Sequence, residues 1–127
     1  ANNSLILTKS ANCSFPKEID LLETPDLYQP LKCTLFAVNN NPEIRGIQTL
    51  KSKEADRIMA VENELEKLNT SNIIETYKDH RMAMSFAPLS LKFGELIIKD
   101  VEVVSKSYPN FWEDLQKGGF TISLSTD

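Results

Sequence analysis

The chain has 127 residues, with 14 Lys and Arg against 18 Asp and Glu, a net charge of -4 and 41% hydrophobic residues. That length is enough for one domain with a sizeable core, and the composition is ordinary for a globular protein. The acidic balance argues against a general nucleic-acid surface, which needs a basic excess, but leaves room for a local basic pocket around a small anion. No apolar run approaches membrane-spanning length and no secretory signal is present. Cys13 and Cys33 lack metal-ligand spacing, and a single histidine leaves little for a zinc site. Both cysteines read as reduced thiols in a cytoplasmic protein, Cys33 as helix packing; sequence alone leaves a disulfide between them open.

Ser4–Thr8 reads as a short strand whose abrupt start suggests a piece of a longer chain. Glu18–Leu21 alternates as a weak second strand. Glu23–Asp26 looks like a turn feeding a helix, on which Leu27, Leu31, Leu35 and Val38 recur at helical spacing. Pro30 places that helix start nearby or kinks it, and Asn39–Pro42 ends it. Glu43–Leu50 follows as a strand with Gly46 in its middle. Lys51–Arg57 opens the next helix, with Ile58, Val61, Leu65 and Leu68 as its apolar stripe. Glu62, Glu64, Glu66 and Lys67 form its wet face. After Asn69–Asn72, Ile73–Tyr77 is a strand that delivers Asp79, an N-cap residue for a helix through Ala83, Phe86 and Leu89. Pro88 shortens or kinks it. Glu95–Ile98 and Val101–Val104 read as strands. Pro109 suits the first position of a last helix with Tyr108, Phe111, Trp112 and Leu115 on its apolar face. Gly118–Gly119 stops it, and Phe120–Leu124 follows as a strand. Strands alternating with helices predict an α/β domain with some parallel pairing, and their cadence hints at a repeating unit.

Three helix starts each carry a cation: Arg57, Arg81 beside His80, and Lys106. A cation in a first helical turn opposes the dipole, and an anion held by N–H groups and guanidinium together is the usual compensation. If the three converge, they make a pocket for a ligand with several negative charges. Glu54 lies three residues before Arg57 on one face, either as a surface ion pair or as a carboxylate tuned to move a proton. Asp26 adds a second carboxylate. Acid groups beside a polyanion site suggest group transfer on a phosphorylated, carboxylated small molecule.

Lys53-Glu54-Ala55-Asp56-Arg57 resembles the KExDR motif of the 5-enolpyruvylshikimate-3-phosphate synthase family. Asp79-His80-Arg81-Met82-Ala83-Met84 resembles its DHRMAM motif, and Lys106-Ser107-Tyr108-Pro109-Asn110-Phe111-Trp112 its later Lys-(Ser/Thr)-(Phe/Tyr)-Pro-x-(Phe/Tyr) stretch. The resemblance covers Cys13 to Phe120. It implies part of a domain built from βαβαββ units, a mixed sheet with helices whose N-termini face an active-site cleft. The whole chain, 1–127, would be the C-terminal part of one of two domains, shortened near 69–72. The implied reaction moves the enolpyruvyl group of phosphoenolpyruvate to the 5-hydroxyl of shikimate 3-phosphate and releases phosphate, with no metal and no organic cofactor.

By the same resemblance, Arg57, Arg81 and Lys106 hold phosphoenolpyruvate, with His80 beside them. Asp26 accepts the hydroxyl proton, Lys53 and Thr49 touch shikimate 3-phosphate, and Glu54 serves proton transfer at the methylene carbon. The implied partners are the two substrates and the missing N-terminal portion of the enzyme, with no nucleic acid and no membrane; glyphosate would inhibit the whole enzyme. The fragment alone is expected to be inactive. The competing reading is a non-catalytic anion-binding or structural module.

Overall fold

The computed structural model describes residues 4–52 and 56–125. Two short parallel strand pairs organise it. The first, β1 (Glu18–Asp20) on β2 (Glu43–Arg45), aligns Ile19 with Ile44. The second, β3 (Ile73–Ile74) on β4 (Ile97–Ile98), aligns Ile74 with Ile98. Parallel strands need a crossover. Here α1 (Tyr28–Ala37) links the first pair, and α3 (His80–Phe86) with α4 (Ser90–Phe93) links the second. Helix α2 (Arg57–Lys67) runs between the two units, and α5 (Phe111–Lys117) follows the second. The α/β class and the parallel pairing agree with the sequence reading. The mixed sheet does not appear among the described residues, where both pairs are parallel.

Helix α3 is the centre of the packing because its two faces enter different clusters. Met82 and Phe86 join Tyr28, Cys33, Leu50, Val61, Leu65 and Ile74 in the main core. Ala83 and Ala87 pack instead with Val104 and Phe111, backed by Trp112 and Leu115. The small alanine side chains let the second cluster approach closely. Pro88 lacks the N–H that would continue α3, so the helix ends at Phe86 and continues as a 3-10 turn over Ala87–Leu89.

Several expected strands take other forms. Ser4–Thr8 is not a strand, because nothing among the described residues pairs with it; Leu5, Ile6 and Leu7 are each more than 90% exposed. Strand β2 stops at Arg45. Gly46 has φ +75°, and a Cβ there would collide with the Leu22 backbone nitrogen, so the chain bends and enters a 3-10 helix over Gln48–Ser52. Val101–Val104 is also a 3-10 helix, entered through the left-handed Asp100. Strands β3 and β4 are two residues each, and Phe120–Leu124 is irregular. Pro109 lies ahead of α5, whose N-cap is Asn110. On α1 the buried face runs through Tyr28, Gln29, Cys33 and Leu35, while Leu27 and Val38 are about half exposed. Glu64, expected on the wet face of α2, is 1% exposed.

Burial has a readable consequence. Cys33 is buried, and desolvation raises its thiol from 9.0 to about 12. Burial, then the neighbouring Glu62 carboxylate, also raises Tyr28 well above its ordinary value. Each group is neutral when folded and ionises more readily when unfolded. The Cys33 contribution is therefore full below pH 9 and is lost as pH rises from 9 through 12, and that of Tyr28 is lost from pH 10 upward. A thiol reagent at pH 8 should label exposed Cys13 within minutes and Cys33 only on unfolding. Denaturation midpoints should fall between pH 9 and 11, and less steeply in Cys33→Ala.

Candidate functional site

The site forms where the starts of α2 and α3 face the turn before α1. Asp56 caps α2 by accepting from the Met59 N–H at 3.1 Å, and this makes Arg57 the first residue of that helix. Asp79 caps α3 in the same way, accepting from the Arg81 N–H at 2.9 Å. The anion that compensates this cationic helix start is therefore the cap residue's own carboxylate. The aspartate of each motif sets a helix boundary, and the boundary aims the arginine.

Asp79 and Arg57 form a buried ion pair. Arg57 Nε donates to Asp79 Oδ2 at 2.7 Å, with side-chain exposures of 5% and 2%. Gln29 Nε2 donates to the same oxygen at 3.3 Å from α1. One carboxylate thus ties three helices together. Taking both charges out of water is costly, and the added hydrogen bonds are what make it tolerable.

Asp26 lies in the 3-10 turn Pro25–Leu27, just ahead of α1, with its side chain 52% exposed. It bridges the two arginines. Arg57 Nη1 donates to Oδ1 at 3.0 Å, and Arg81 Nη2 donates to Oδ2 at 3.0 Å. The guanidiniums are therefore spaced to hold one carboxylate between them. Arg81 Nη1 also lies 3.1 Å from His80 Nε2, and His80 Nδ1 lies 3.8 Å from Asp79 Oδ1.

The charges Asp26, Asp79, Arg57 and Arg81 sum to zero. Asp26, half exposed on a short turn, is the most accessible of the four. The structure brings together Asp26, Arg57, His80 and Arg81. Lys106 is exposed and makes no hydrogen bond or ion pair among the described residues. Thr49 is exposed on the 3-10 helix Gln48–Ser52. Lys53 and Glu54 lie outside the described residues. No group of His, Cys, Asp and Glu among the described residues could hold a metal ion. Two shallow hollows, of about 310 and 440 Å³, lie along the end of α2 and the residues after it, away from these side chains.

Comparison with known proteins gives the arrangement its context. The model of the EPSP synthase (3-phosphoshikimate 1-carboxyvinyltransferase) family matches residues 69–115, which include Asp79, His80, Arg81 and Lys106. A 3-phosphoshikimate 1-carboxyvinyltransferase of Bacteroides fragilis is 36% identical over 142 residues, 95% of this chain and 35% of the relative. The chain belongs to the EPSP synthase family. Enzymes of the same name from Methanospirillum hungatei and Aquifex aeolicus are 37% and 36% identical, over 79% and 80% of this chain and 27% and 29% of their own. The chain thus spans about a third of the length of the curated relatives it matches. Among the described residues, no helix is long and apolar enough to cross a membrane.

Gln29 and Glu64 were missed as partners in the sequence. Gln29 is one helical turn from buried Cys33, and Glu64 is seven residues, two turns, from Arg57. Helical spacing put both on inward faces.

The two carboxylates that meet Arg57 should differ sharply in cost. Asp79→Ala removes the buried carboxylate from Arg57 Nε, from Gln29 and from the α3 cap at once, and should cost about 3–5 kcal/mol by urea denaturation. Asp26→Ala removes a half-exposed partner and should cost no more than about 1 kcal/mol.

Proposed function

We propose that this chain supplies the phosphoenolpyruvate-binding side of an enolpyruvyl transfer to the 5-hydroxyl of shikimate 3-phosphate, with release of phosphate. The observation that carries this reading is the pair of guanidiniums, Arg57 and Arg81, converging at 3.0 Å on the two oxygens of one carboxylate. A carboxylate or phosphate of phosphoenolpyruvate presents the same spaced oxygen pair, and fixed guanidinium donors bind such groups with directional, charge-assisted hydrogen bonds. The chain's membership of the EPSP synthase family supplies the substrate class.

In this reading Asp26 has two states. Without ligand it occupies the arginines. When phosphoenolpyruvate takes its place, the released carboxylate is adjacent to the reactants and accepts the proton of the attacking hydroxyl. His80, beside Arg81, can give a proton to a departing or developing oxyanion. Lys106 adds a third cation to the phosphoenolpyruvate site. Lys53 and Thr49 contact shikimate 3-phosphate, and Glu54 moves the proton at the methylene carbon. The fixed charges stabilise the tetrahedral intermediate because they are in place before charge develops.

Rate requires both reactants to be held together out of water. A shared half-open arginine pair does not enclose them, and the remaining two thirds of a full-length relative is the proposed partner that does. The setting proposed is the cytoplasm.

Titration of phosphoenolpyruvate into the chain should give saturable binding that Arg81→Ala abolishes. Asp26→Ala removes the internal competitor and should tighten phosphate binding several-fold at low salt. The same substitution should remove transfer when the chain is supplemented with the rest of a full-length relative. The unsupplemented chain should release no phosphate at a comparable rate. No binding to the wild type at low salt would leave the module structural.

A further inference from the structure

Glu64 is a buried charged group that the proposed chemistry does not use. It lies seven residues after Arg57 on α2, so the two side chains leave the same face. Both grip the segment between β3 and α3. Arg57 holds its end at Asp79. Glu64 holds its start: Oε2 accepts from the Glu75 N–H at 3.0 Å, and Oε1 accepts from the Tyr77 hydroxyl at 3.0 Å. Lys67 Nζ, 2.7 Å from Oε2, balances the charge.

The residues between these two grips are held against their own preferences. Tyr77 and Lys78 have φ of 53° and 58°, consecutive left-handed residues with side chains. The Thr76 hydroxyl just before them is buried without a hydrogen-bond partner among the described residues. Such a turn persists only where its surroundings over-determine it.

We propose that Glu64 is a positioning residue for the anion site. By fixing Glu75 and Tyr77 it holds segment 75–79 in its left-handed turn. That turn sets where the Asp79 carboxylate meets Arg57 and where α3 begins with Arg81. The proposal rests on reading Arg57 and Arg81 as an anion clamp, and it extends that clamp to a residue that touches no ligand.

The test uses Glu64→Gln in the whole chain, with and without Lys78→Gly. Glutamine keeps the size but removes the charge that Lys67 balances, and its amide N–H must replace an acceptor facing either Tyr77 or the Glu75 N–H and Lys67. Glycine takes a left-handed φ freely and lessens the need for the grip. Two quantities are read: phosphoenolpyruvate affinity, and the NMR resonance of the Arg57 Nε–H in the ligand-free chain, which reports its bond to Asp79. Glu64→Gln should weaken affinity about tenfold and move that resonance toward an unpaired arginine. Lys78→Gly should restore most of both. Tyr77→Phe, a milder cut, should move both the same way and serves if Glu64→Gln does not fold.

A purely structural Glu64 would lower the melting temperature while leaving affinity and resonance in place, and this would overturn the proposal, as would failure of Lys78→Gly to rescue. If the wild type binds no phosphoenolpyruvate, the clamp reading fails separately. The ligand-free Arg57 resonance then decides the role of Glu64, upheld if it moves and overturned if it does not.

Discussion

A buried guanidinium is the constraint on which the rest of this structure depends. Arg57 is drawn into the protein at the first residue of α2, where neither water nor the helix dipole favours a cation. Among the described residues, Asp79 is its buried charge partner, meeting it at 2.7 Å. Asp79 in turn is fixed by capping α3 and by the amide of Gln29 on α1. The pair adds little net stability compared with a well-packed apolar substitute. What it fixes is geometry: with Nε committed to Asp79, one edge of the Arg57 guanidinium is held and Nη1 is aimed at Asp26.

Placement of Arg81 follows from packing. Helix α3 is trapped between the main core on its Met82 and Phe86 face and the smaller cluster on its Ala83 and Ala87 face. Arg81 precedes the first of these buried residues, so its backbone can shift little without disturbing both clusters. The two arginines are thus positioned independently, one by a buried charge and one by a helix between two apolar groups. They meet at Asp26, a half-exposed aspartate on a short turn. Rigid donors around an exchangeable anion are the conditions under which an anion site can be selective and still release its ligand.

The sequence carried the helices well and the strands poorly. Ile58, Val61, Leu65 and Leu68 marked α2 because an amphipathic helix repeats its pattern over several turns. Asp79 marked the start of α3 because capping needs a specific oxygen at a specific place. Strands of two or three residues leave no period to read, so Val101–Val104 looked extended although Asp100 turns it into a 3-10 helix. Gly46 was visible, but its close approach to Leu22, which ends β2, depends on tertiary contact. In the site, the meeting of Arg57 and Arg81 was legible from two helix starts. The bridging of both guanidiniums by Asp26 was not, because Asp26 spans 31 residues to reach Arg57 and 55 to reach Arg81.

A double-mutant cycle on Arg57 and Asp79, read by denaturant unfolding, tests this account most directly. Arg57→Met and Asp79→Leu should each be strongly destabilising. Together they should cost at least about 2 kcal/mol less than the sum of the single changes, since the double change removes both buried charges. If each single change costs under about 1 kcal/mol and the two simply add, the buried pair does not organise this site.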